Sequence, residues 1–99
     1  MRMMTNYKES EKYIERYLNR KVAEFGGISL KYSNPGATGY PDRVVLLPGG
    51  KTVWAELKSK GRKPSLIQSL RFEQMKAIGH HVFVCDSIEK VDKMLEDEI

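Results

Sequence analysis

Two short acidic motifs carry the chemistry available to this chain: Pro41-Asp42 before one apolar stretch, and Glu56-Leu57-Lys58 at the end of the next. Between them stands Pro48-Gly49-Gly50, a strong turn signal. A three-residue loop there pairs Leu47 with Lys51 and Leu46 with Thr52, which sets Asp42 opposite Glu56. Two carboxylates facing each other across a hairpin repel. A divalent cation held by oxygens of both offsets that repulsion. Strand alternation puts Lys58 on the same side as Glu56. Two carboxylates, a metal and an ammonium group together point to hydrolysis of a phosphodiester. The facing pair depends on register: a two-residue loop would set Asp42 opposite Ala55 or Leu57 instead.

Holding these groups requires a hairpin inside a larger sheet. Ile14, Tyr17, Leu18, Val22 and Phe25 recur at helical spacing, predicting a first helix over 7–25 that Gly26-Gly27 ends. Ile28, Leu30 and Tyr32 alternate with Ser29, Lys31 and Ser33, the pattern of a half-buried strand. Residues 34–40 contain a proline and two glycines and read as an irregular loop. The hairpin strands are 43–47 and 51–58, and 59–64 is a basic loop containing a glycine. Ser65 is placed to cap a second helix with Ile67, Leu70, Met75 and Ile78 near one face, stopped at Gly79. Residues 81–85 read as a fourth strand, and Ser87 caps a final helix carrying Ile88, Val91, Met94 and Leu95. Short connections make the first three strands an antiparallel meander, while the β-α-β crossover sets the fourth strand parallel to the third. The expected class is α/β, an α-β-β-β-α-β-α sandwich with a mixed four-stranded sheet flanked by helices.

Ninety-nine residues suit a single domain, 1–99, with one modest core. A formal net charge of +4 favours a polyanionic partner. The single cysteine, Cys85, fits a reducing compartment. No apolar run approaches the ~18 residues of a membrane span, and Met1-Arg2-Met3-Met4 lacks the apolar core of a secretion signal. These features lead to the expectation of a soluble, intracellular protein. Other candidate centres fail on geometry. His80 and His81 are adjacent and in a strand would face opposite sides. Cys85 suits packing in an apolar strand. Trp54 shares a face with Glu56, where packing is commoner than stacking on a base.

A helix with a glutamate, three strands carrying Pro-Asp and Glu-x-Lys, then a helix and a strand resembles the PD-(D/E)xK nuclease superfamily. Within it, Gly39-Tyr40-Pro41-Asp42, the Glu56-Leu57-Lys58 strand and the later Gln68 are most similar to the VRR-NUC (virus-type replication-repair nuclease) family. The motif spacing and first-helix glutamate are also similar to those of archaeal Holliday-junction resolvases. The resemblance covers nearly the whole chain from about Glu11. It implies that Asp42 and Glu56 hold Mg²⁺ or Mn²⁺, with the Leu57 carbonyl as a further ligand. Lys58 would orient the attacking water or stabilise charge on the phosphate. Glu11, three residues before Ile14, matches the position that helps bind metal. Glu15 matches a position where many members carry glutamine, and is expected to be a surface charge paired with Lys8, Lys12 or Arg16. Gln68 would face the active site and position Lys58 or a phosphate. Lys60, Arg62 and Lys63 directly follow the catalytic strand and would meet phosphates beside the scissile bond.

The resemblance further implies a homodimer that cuts branched DNA, with Holliday-junction resolution in repair and recombination as the expected role. A two-fold dimer supplies the two identical sites that symmetric resolution needs. A phage or bacterial source, with action in the bacterial or phage-infected cytoplasm, fits small stand-alone members. Two alternatives stand beside this reading: a monomeric nickase or flap nuclease, and a non-catalytic DNA-binding module with the nuclease fold.

Overall fold

The computed structural model describes residues 10–98. Tyr7 to Glu9 of the expected first helix, and Met1-Arg2-Met3-Met4, lie outside the described residues. Helix α1 (Glu11–Glu24) begins where the Ser10 hydroxyl accepts the Tyr13 N–H at 3.1 Å. Its Ile14, Leu18 and Val22, spaced i, i+4, i+8, are fully buried. After the helix, Gly27 presses against the backbone of Leu46: a Cβ there would stand 2.5 Å from the Leu46 carbonyl oxygen.

The strands follow as β1 (Ile28–Lys31), β2 (Arg43–Leu47) and β3 (Lys51–Leu57), then helix α2 (Leu66–Ala77), β4 (Val82–Cys85) and α3 (Ile88–Glu98). The sheet order is β1-β2-β3-β4, with the first two pairings antiparallel and the third parallel, as the sequence predicts. Gly49 and Gly50 turn the hairpin with φ of 84° and 78°, values that suit residues without a Cβ. Leu47 therefore faces Lys51, and the register runs without a bulge to Arg43 opposite Ala55.

Each sheet face has its own core. Val45, Leu47, Val53, Ala55, Leu57 and Cys85 pack against α1 and the Val91, Met94 and Leu95 ridge of α3. On the other face, Phe72 and Met75 of α2 cover Val82, Val84 and Trp54, with Tyr40 alongside.

Two expectations need correction. β1 is not half-buried by its apolar residues: Ile28 is 56% and Leu30 48% exposed. They share the α2 side of the sheet, since Leu30 faces Val44 and Val44 faces Trp54, but α2 covers only β3 and β4. The buried face of α2 is also different from the one read in its sequence. Of Ile67, Leu70, Met75 and Ile78 only Met75 turns inward, joined by Phe72, while the other three are exposed. Gln68, Phe72 and Met75 form the i, i+4, i+7 ridge that meets the sheet, a choice set by what lies beneath the helix.

Candidate active site

The two acidic motifs meet at one end of the sheet. Asp42 immediately precedes β2, and its carbonyl accepts the Tyr32 N–H at 2.8 Å, extending the β1–β2 ladder by a step. One register step beyond Arg43 and Ala55, Asp42 faces Glu56, which is 4% exposed. Burial first, and then the Glu56 charge, push the Asp42 carboxyl up to about 6. A hydrogen bond from the Leu57 backbone N–H opposes the rise, Glu11 adds to it and Lys31 reduces it.

Asp42 Oδ1 and Glu56 Oε1 are each buried without a hydrogen-bond partner. Unsatisfied buried oxygens are costly. Two of them on facing carboxylates form a donor set suited to a hard divalent cation. Among the described residues, no third His, Cys, Asp or Glu completes a group of three that could hold a metal ion.

The second oxygen of Glu56 is fully engaged. Oε2 accepts from Gln68 Nε2 at 3.0 Å and lies 3.2 Å from Lys58 Nζ. Gln68 is in turn held by its own helix terminus. Its Oε1 accepts the Ser65 backbone N–H at 2.9 Å, while the Ser65 hydroxyl accepts the Gln68 N–H at 3.2 Å. This capping box leaves the Gln68 amide NH₂ directed at Glu56. Lys58 extends the sheet past the end of β3, since its N–H donates to the Cys85 carbonyl at 3.1 Å. The Leu57 side chain is buried in the first core, leaving only its backbone beside the carboxylates.

The two helix carboxylates separate. Glu11 sits exposed in the first turn of α1, close enough to act on Asp42 through space. Glu15 accepts from the Arg43 guanidinium rather than pairing within its own helix. That bond is the main cause of its lowered pKa. Arg43, which the sequence reading did not single out, pins α1 to β2 next to Asp42.

Lys60, Arg62 and Lys63 lie exposed in the loop after Lys58. Gly61 fastens that loop to the β4–α3 junction, donating its N–H to Asp86 at 3.2 Å. A second fastening also escaped sequence reasoning. Arg71 of α2 donates from Nε to the Thr38 carbonyl at 3.1 Å and stacks over the Tyr40 ring at 5.1 Å. Gly39 makes this approach feasible: with φ of 96°, a Cβ there would lie 2.9 Å from Arg71 Cγ and 3.0 Å from Ile67 Cγ1. Gly39-Tyr40-Pro41-Asp42 is thereby tied to the helix that carries Gln68.

The remaining candidates pack or pair elsewhere. Trp54 meets Tyr32 edge-on at 5.2 Å. Burial raises the Cys85 thiol to about 12. His81 Nδ1 lies 2.9 Å from Glu98 Oε2 at the far end of β3 and β4 from the carboxylate pair.

No family model matches the sequence. The chain is similar over 77 residues, at 43% identity, to the protein named "Putative nuclease p44" of Acyrthosiphon pisum secondary endosymbiont phage 1. The match covers 78% of this chain and 83% of that protein. A solved structure described as a VRR_NUC domain superposes with a TM-score of 0.83 at 32% identity, over 90% of this chain and 97% of that one. With this fold, this pair of carboxylates and these relatives, the chain belongs to the VRR-NUC family of nucleases.

Proposed function

We propose that the protein is a Mg²⁺- or Mn²⁺-dependent, structure-selective DNA endonuclease that works as a homodimer on branched DNA. Resolution of four-way (Holliday) junctions in replication, repair and recombination is its proposed task. The observation that carries this reading is the buried Asp42–Glu56 pair, each member keeping one oxygen without a partner. When bound, a divalent cation would lower the pKa of a water and polarise the phosphate. Asp42, Glu56 and the Leu57 carbonyl are the proposed ligands, with Glu11, which acts on Asp42 through space, proposed to assist through water. Gln68 keeps Glu56 from rotating away. Lys58, already against the same carboxylate, is the cation available to charge developing on a phosphate. Lys60, Arg62 and Lys63 would hold neighbouring phosphates without reading bases.

The dimer is supported by apolar surface on the α2 side. Ile28, Leu30 and Leu46 on the uncovered half of the sheet, with Leu66, Ile67 and Leu70 on α2, are all exposed. Such surface commonly marks an interface.

Labelled four-way junction, flap and linear duplex incubated with the protein in Mg²⁺ give the direct test. Preferential cutting of the junction, lost in Lys58→Ala, is the expected result. Flap cutting alone by a protein that sediments as a monomer would favour a flap nuclease. Intact substrates throughout would leave only a binding module.

A further inference from the structure

Positive charge stands on both sides of the carboxylate pair, although the motif reading places it on one. β1 ends at Lys31, paired with Arg43, so Lys31 lies at the same sheet end as Asp42. Lys31 stands opposite Arg43 on the α1 side of the sheet, one residue before the Tyr32–Asp42–Glu56 row. Lys58 and the basic loop follow at the β3–β4 side of the same end. With strands about 4.8 Å apart, the four-stranded end is about 15 Å wide. Lys31 is exposed and acts electrostatically on both Asp42 and Glu15. Lys12, exposed in the first turn of α1, acts on Glu15 as well. Arg16 follows four residues later on the same exposed helix face. Glu15 already takes its hydrogen bond from Arg43, and the two lysines reach it only through space.

We propose that Lys12, Arg16 and Lys31 form a second phosphate-binding surface, on the β1 side of the carboxylates. A nucleic-acid strand then enters over α1 and β1, crosses Asp42 and Glu56, and leaves over Lys60, Arg62 and Lys63. Gripping the backbone on both sides of the scissile bond selects an internal phosphodiester over a chain end. Contacts of this kind are independent of sequence, and each releases counterions from the nucleic acid. The inference rests on the nuclease reading for the position of the scissile bond, whereas the surface itself can be measured by binding alone.

Fluorescence anisotropy with a labelled linear duplex and a labelled four-way junction tests it, using the full chain carrying Asp42→Asn so that substrate is not consumed. Lys12→Ala and Lys31→Ala, added singly, are each expected to weaken binding by roughly threefold to tenfold. The triple variant with Arg16→Ala should lower the slope of log affinity against log salt by about 2 to 3. Lys93→Ala, on α3 and paired with Asp97, is expected to leave both quantities at the parent value. Melting curves of each variant check that these exposed substitutions leave the fold intact. A triple variant with the parent's affinity and slope would overturn the second surface. Wild-type cleavage is scored separately. If wild type cuts DNA while the slope stays fixed, only this inference falls. If the slope drops while wild type cuts nothing, the surface stands and the nuclease reading falls.

Discussion

Gln68 holds Glu56 from the helix packed over its own sheet face: its Nε2 donates to Glu56 Oε2 at 3.0 Å while Ser65 fixes the opposite end of the same amide. One side chain thus closes the start of α2 and orients a carboxylate of the site. Glu56 Oε2 is occupied by Gln68 and Lys58, which leaves Oε1 as its available oxygen.

Gln68→Ala should lower cleavage by roughly 10–100-fold, the usual effect of removing a group that orients a metal ligand. Loss of half the capping box should cost about 1 kcal/mol in urea unfolding. Gln68→Glu keeps an acceptor for Ser65 but sets a third carboxylate beside Glu56. Cleavage by Gln68→Glu is therefore expected to fall at least as far as for Gln68→Ala. Near pH 4, where protonation of the added carboxyl relieves the repulsion, its loss of stability should be the smaller of the two. Equal loss there would show that the cap does not depend on the Gln68 acceptor.

The metal-free protein should lose stability as pH rises through the Asp42 transition. Its carboxyl is raised from 3.8 to about 6 in the native state, so the native protein holds that proton more tightly than the unfolded chain. The resulting stabilisation is fully present below pH 3.8 and lost as pH passes about 6. In a chelator at pH 7, Asp42→Asn should be more stable than wild type by on the order of 2 kcal/mol. The advantage should vanish near pH 4. Mn²⁺ should narrow it at pH 7, because a ligand that binds only the native state stabilises it. Urea titrations at the two pH values, with and without Mn²⁺, measure each part.

Gly39→Ala should displace the segment leading into Asp42. Both φ and the contacts with Arg71 and Ile67 oppose a Cβ. The expected cost is about 1–3 kcal/mol, with cleavage falling further than stability alone explains. Gly50→Ala isolates the backbone part of that cost: its φ is 78°, and no heavy atom lies within 4 Å of the added Cβ. Thermal melts of both variants should show the larger drop for Gly39→Ala.

The hairpin was legible in the sequence because its causes are local. Pro48-Gly49-Gly50 sets the loop length, alternation sets the faces, and together they give the register that brings Asp42 to Glu56. Capping by Ser65 and Ser87 is likewise a matter of three or four residues. What escaped depends on partners distant in the chain. Arg43 reaches Glu15 across 28 residues, and Arg71 reaches Thr38 across 33. An arginine in a strand or helix gives no sign of its partner until the fold brings them together. The α2 face was misread for a related reason. Ile67, Leu70 and Ile78 keep helical spacing with the correctly read Met75 as well as Phe72 does, and only the position of Trp54, Val82 and Glu56 beneath the helix selects Phe72. β1 alternates as a buried strand would, but among the described residues no helix covers its apolar side.

Cleavage of a labelled four-way junction by wild type and by Glu56→Gln, with Mn²⁺ and with chelator, bears on the carboxylate pair itself. Wild type should cut only with the metal, and Glu56→Gln should be slower by roughly 100-fold or more, as expected on loss of a metal-holding charge. An uncut junction with wild type, or a Glu56→Gln variant that cuts at the wild-type rate, would contradict a catalytic role for the Asp42–Glu56 pair.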